Sequence, residues 1–81
     1  MSNKEIVKEV LHDTGMFHRA YVDECSSEKE VKIVTRAVFV RLTDLDTLRY
    51  GIEREGGHLE EIEVSTMPAM DNRVCITVIF E

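Results

Sequence analysis

The sequence lacks long apolar runs, paired cysteines and any glycine-rich loop that leads into a helix. Its longest uninterrupted apolar stretch is Ala37-Val38-Phe39-Val40, far short of the roughly 20 residues that span a bilayer. The opening Met1-Ser2-Asn3-Lys4-Glu5 has no apolar core of the secretory type, so no leader is expected. Cys25 and Cys75 lie far apart in the chain without paired spacing, which argues against a disulfide framework or a zinc scaffold. No linker, low-complexity tract or repeat interrupts the chain. A cytoplasmic protein with no membrane partner is the expectation.

What is present is ordinary globular material. Of the 81 residues, 43% are hydrophobic and 32% charged, proportions that argue against wholesale disorder. One domain, residues 1–81, is expected, with a radius of gyration near ~12 Å. A chain this short buries roughly 60–65% of its unfolded surface. That permits one thin core and leaves no room for a deep cleft between lobes. Self-association is a natural remedy for so thin a core.

Periodicity sets the order of elements. Ile6, Val7, Val10 and Leu11 form one apolar stripe at helical spacing, predicting a helix over Lys4–Thr14 with Ser2 or Asn3 as its cap. Gly15 suits the left-handed stop, with Leu11 and Met16 placed for a Schellman contact. Phe17–Asp23 is read as a strand in preference to a continued helix, and Glu24–Glu30 as a loop. Val31–Leu42 is rich in β-branched residues and predicts a long strand, apolar on both faces between residues 37 and 40. Thr43 is the expected cap of a second helix, with Leu45, Leu48 and Ile52 buried and Gly51 allowing close approach to the sheet. Arg49 and Glu53 stand at ion-pair spacing on it, and Gly56-Gly57 ends it. His58–Met67 and Arg73–Glu81 alternate as strands, joined by a hairpin loop through Met67-Pro68-Ala69-Met70-Asp71-Asn72.

This αββαββ order predicts an α+β fold: a two-layer sandwich, with a four-stranded antiparallel sheet and two helices on one face, a variant of the ferredoxin-like arrangement. From Val31 onward, the strand-helix-strand-strand order resembles half of an ACT-type regulatory module. It is similar too to the small cytoskeletal-style domains of secretion and pilus assembly proteins. Likeness to the ACT type implies a dimer that binds a small ligand at its subunit interface.

Catalytic chemistry finds no purchase. Cys25, Ser26 and Ser27 sit in a polar loop without a nucleophile elbow around them. Cys75 reads as a small buried hydrophobe on a strand. His12, His18 and His58 show neither helical pairing nor a CxxC partner, so no metal and no cofactor are expected. Gly56-Gly57 follows a helix, where the dipole repels anions, so no phosphate site is expected there. The protein is read as not an enzyme.

Charge is the informative feature. The net charge is -6; residues 50–81 carry -5 of it and residues 1–49 only -1. Direct nucleic-acid binding is therefore not expected. Glu53, Glu55, Glu60, Glu61 and Glu63 concentrate around the end of the second helix and the strand after it. Glu61 and Glu63 share a strand face, ~7 Å apart, where mutual repulsion is expected to raise one pKa. A protein partner with a basic surface is the expected ligand of this face, with Met67 and Met70 as adaptable neighbours. The leading expectation is a small non-catalytic adaptor or inhibitor; the alternative is the dimeric ligand-sensing module. A homodimer is expected to form through the strand Val31–Leu42 or through the C-terminal strand.

Overall fold

The structure is a computed structural model that describes residues 1–17 and 19–81. It holds two helices and a four-stranded antiparallel sheet, an α+β fold. The elements are α1 (Asn3–Thr14), β1 (Tyr21–Val22), β2 (Glu30–Val34), α2 (Leu42–Arg54), β3 (Leu59–Met67), a 3-10 turn (Pro68–Met70) and β4 (Arg73–Phe80). The radius of gyration is 11.5 Å. None of the described helices is long and apolar enough to cross a membrane.

Ser2, rather than Asn3, caps α1. Its Oγ accepts the Glu5 N–H at 3.2 Å and its hydroxyl donates to the Glu5 carboxylate at 3.2 Å. Asn3 instead ties the helix start to the loop before β2, donating through Nδ2 to the Glu28 carbonyl at 2.6 Å. At the other end Gly15 is left-handed, φ 62°, and its N–H reaches the Leu11 carbonyl at 3.0 Å. This single bond is the simpler left-handed cap, not the expected Schellman pair.

The strand order is β1-β2-β4-β3. β4 is thus central, bonded to β2 through Ile33↔Ile76 and to β3 through Val64↔Ile76. One sheet face carries Val31, Ile33, Val74, Ile76, Val78 and Phe80, and these join Ile6, Val7, Val10, Leu11, Leu48 and Ile52 in one core. The expected β4 alternation therefore holds. Leu59 also reaches this core, although strict alternation would place it with Glu61. A bulge between Leu59 and Glu61 supplies the extra residue that turns it inward.

Three expected elements change. The strand expected over Phe17–Asp23 shrinks to Tyr21–Val22, because Phe17 and Arg19 take left-handed backbone conformations, φ 57° and 52°; His18, inside that range, lies outside the described residues. The strand expected over Val31–Leu42 ends at Val34. There the buried Thr35 hydroxyl donates to the Val74 carbonyl at 3.0 Å and accepts the Ala37 N–H at 3.1 Å, and regular pairing gives way to a local loop whose Thr35 N–H and Ala37 carbonyl still bond Val74 at 3.3 and 2.8 Å. Val38, Phe39 and Leu42 consequently face solvent, Leu42 at 79% exposure. Finally, α2 starts a residue before Thr43, capped by Arg41 with no side-chain bond.

Two glycines set the packing of α2. A Cβ on Gly51 would fall 2.8 Å from Val10 Cγ1, so the close approach is to α1 and not, as expected, to the sheet. A Cβ on Gly57 would fall 2.6 Å from Ile52 Cγ2 and 3.2 Å from Phe80 Cε1. Gly57 therefore lets the helix end sit on the last core residue of β4. Gly57→Ala should lower the unfolding free energy by roughly 1–3 kcal/mol through overpacking. Urea denaturation reads this directly, and an unshifted midpoint would show that the contact yields freely.

Candidate acidic interaction surface

The sheet face away from the core cluster is built in cross-strand rows. Glu30, Ile79 and Glu61 form one row; Lys32, Thr77 and Glu63 the next; Val34, Cys75 and Ser65 the third. Glu30 and Glu61 thus lie two strand spacings apart, about 10 Å, across an apolar Ile79. Val34 and Cys75 are buried at the centre of this face. The carboxylates stand around them, exposed.

Glu61 and Glu63 meet as the strand period requires. A hydrogen bond with Glu63, and then repulsion by its charge, push the Glu61 carboxyl above the usual glutamate range. Nothing cationic offsets this pair by direct contact. Among the described residues the one ion pair is His12 with its neighbour Asp13, at 3.5 Å on the surface. The expected Arg49–Glu53 pair is therefore not formed. This face carries two basic residues, Lys32, which lies across β4 from Glu63, and Arg73, opposite Met67 at the far end of β4.

The other expected carboxylates gather at a neighbouring place. Glu53 near the end of α2 shares a surface hollow of about 270 Å³ with His58, Leu59 and Glu81. Glu55 caps the same helix end, its N–H donating to the Gly51 carbonyl at 3.1 Å. Glu60 occupies the β3 bulge. Two acidic groups result, Glu61 with Glu63 on the sheet face and Glu53 with Glu81 at the helix end. Glu55 and Glu60 belong to the segments that connect them. Met67 closes β3 on the same face as Glu61 and Glu63, opposite Arg73, and Met70 ends the 3-10 turn, both half-buried.

Glu30 and Glu81 were missed by sequence reasoning. Both stand apart from the acidic run, and only the register of β2 and β4 brings them to it. No group of three His, Cys, Asp or Glu side chains among the described residues is arranged to hold a metal ion. A larger hollow, about 420 Å³, lies elsewhere, between α1 and β1, and is lined in part by Lys8, His12, Tyr21 and Glu24.

Two measurements test this surface. NMR titration should place Glu61 above an ordinary glutamate, and Glu63→Gln should return it toward the ordinary value by removing the repulsion. Because the folded-state value is the higher one, protonation favours the fold. That contribution is fully present below the unfolded-state pKa and is lost as pH rises through the folded-state value, so Glu63→Gln should flatten the slope of stability with pH across that interval. The thiols should separate as well. Burial pushes the Cys75 thiol up, Asp23 adds to the rise and Lys32 opposes it, whereas Cys25 is exposed. A thiol-reactive dye should label Cys25 fast and Cys75 slowly; equal rates would show that the β4 centre opens freely.

No protein-family model, curated protein or solved structure matches this chain.

Proposed function

We propose that the protein is a small non-catalytic interaction protein, an adaptor or inhibitor, that presents its acidic surface to a basic protein partner. The carrying observation is the Glu61–Glu63 pair, crowded enough to raise a pKa and without a cation in ion-pair contact. A partner lysine or arginine set between these carboxyls relieves their repulsion and gains two charge-assisted contacts at once. Glu53 and Glu55 extend the attraction around the end of α2, where the helix dipole is already negative.

We further read the fold as a rearranged ferredoxin-like two-layer sandwich. The supporting feature is the placement of β4 between β2 and β3, which makes β2-α2-β3 a split crossover. The rival ligand-sensing role needs a ligand site shared between subunits. The hollow of about 420 Å³ instead lies at the β1 side of the sheet, where the edge strand is only two residues long. The protein-partner role is therefore the better supported.

The test is affinity capture from cells with the immobilised chain, beside the triple variant Glu60→Lys, Glu61→Lys, Glu63→Lys. A basic protein should be retained by the natural chain, released by moderate salt and absent from the variant. Binding should weaken as pH falls through the raised Glu61 value, since the neutral carboxyl no longer attracts a cation. Equal retention by both forms would sink the proposal.

A further inference from the structure

The sheet has two edges of very different kinds. β1 closes one with two residues, while β3 runs nine residues along the other and is bonded only to β4. A strand edge of that length presents unpaired N–H and C=O groups that another strand can take up. The two strands expected to pair across a dimer axis are both interior, β2 between β1 and β4 and β4 between β2 and β3. The free edge is β3.

We propose that β3 pairs antiparallel with β3 of a second copy, about a two-fold axis through Val64. Charge selects this occupant and this register. Glu60, Glu61 and Glu63 fill the first half of β3, while Val64, Ser65, Thr66 and Met67 carry no charge. Antiparallel self-pairing sets the acidic half of each copy against the neutral half of the other. The bulge before Glu61 leaves residues 61–67 as the regular stretch, and Val64 is its midpoint. In that register Glu61 of each copy faces Met67 of the other, Ile62 faces Thr66, and Glu63 faces Ser65. Centring on Glu63 would set that residue against itself, and centring on Ile62 would set Glu61 against Glu63; like charges directly opposite destabilise a sheet. Centring on Ser65 shortens the regular pairing to residues 63–67.

Val64 supplies a second argument. It lies on the core side of the sheet, paired with the fully buried Ile76, yet remains 45% exposed. Opposite its own copy it forms a β-branched pair flanked by two Ile62–Thr66 pairs, an apolar row where the monomer leaves an open margin. Edge pairing leaves both sheet faces free. The acidic faces of two copies then join on one eight-stranded sheet, so the inference stands independently of the basic-partner role. The two Glu63 side chains meet diagonally, about 7–8 Å apart, so salt should strengthen self-association while it weakens binding of a basic partner.

Sedimentation equilibrium on the full chain should give twice the chain mass, with the dissociation constant falling as salt rises. Val64→Lys should weaken association roughly tenfold or more, from like charges facing on the axis, with the far-UV circular dichroism unchanged. In a Cys25→Ser background, Val64→Cys should oxidise to a covalent dimer, and Glu61→Cys should not. A chain that stays monomeric at the highest soluble concentration overturns the proposal. So does a dimer unaffected by Val64→Lys, or cross-linking that is stronger from Glu61→Cys. Should Val64→Lys disturb folding, the cross-linking pair alone decides the register.

Discussion

β4 carries hydrogen bonds to both of its neighbours and four of the side chains that the helices cover, Val74, Ile76, Val78 and Phe80. Neither half of the sheet is joined to the other except through it. β1 with β2 alone is a short hairpin, and such a hairpin has marginal stability in water. The apolar stripes of α1 and α2 join those four side chains in one core cluster. Gly57 belongs to this constraint, because it lets α2 end against Phe80 without a side chain between them.

Charge at the two helix ends and on β3 follows the local preferences only in part. α1 opens on the acidic Glu5, in keeping with the helix dipole, and closes with Asp13 beside His12. α2 closes with Glu53 and Glu55 on either side of Arg54, which places negative charge where the dipole is already negative. Glu61 and Glu63 then repel one another on the next strand. These penalties fall within one continuous segment, and no ion pair among the described residues offsets them.

Much of the fold was legible because its signals are local. Ile6, Val7, Val10 and Leu11 mark the buried stripe of α1, and all four are in the core. Val74, Ile76, Val78 and Phe80 alternate into the core as their spacing predicts, while Cys75 is buried on the opposite face. The Glu61–Glu63 contact followed from strand period alone. What failed depended on tertiary bonds. Nothing in Val31–Leu42 shows that Thr35 will spend its hydroxyl on Val74 and end the strand, so Val38 and Phe39 looked like sheet residues. Phe17 and Arg19 adopt a left-handed backbone that their side chains do not favour, which removed most of the first strand. The bulge at Glu60 cannot be seen in alternation, since it breaks alternation. The joining of Glu30 and Glu81 to the acidic surface depends on strand order, which pairs residues distant in sequence.

The shortness of β1 has a consequence for behaviour in concentrated solution. Fibrous growth by edge addition requires two long edges on every molecule, so that each added subunit presents a fresh template. Here one edge offers nine residues and the other two. A second copy docked through its own β3 therefore ends the sheet, because both outer edges are then β1, two residues long. The left-handed turn at Phe17 and Arg19, which cut β1 to a stub, thereby acts as a chain terminator for aggregation.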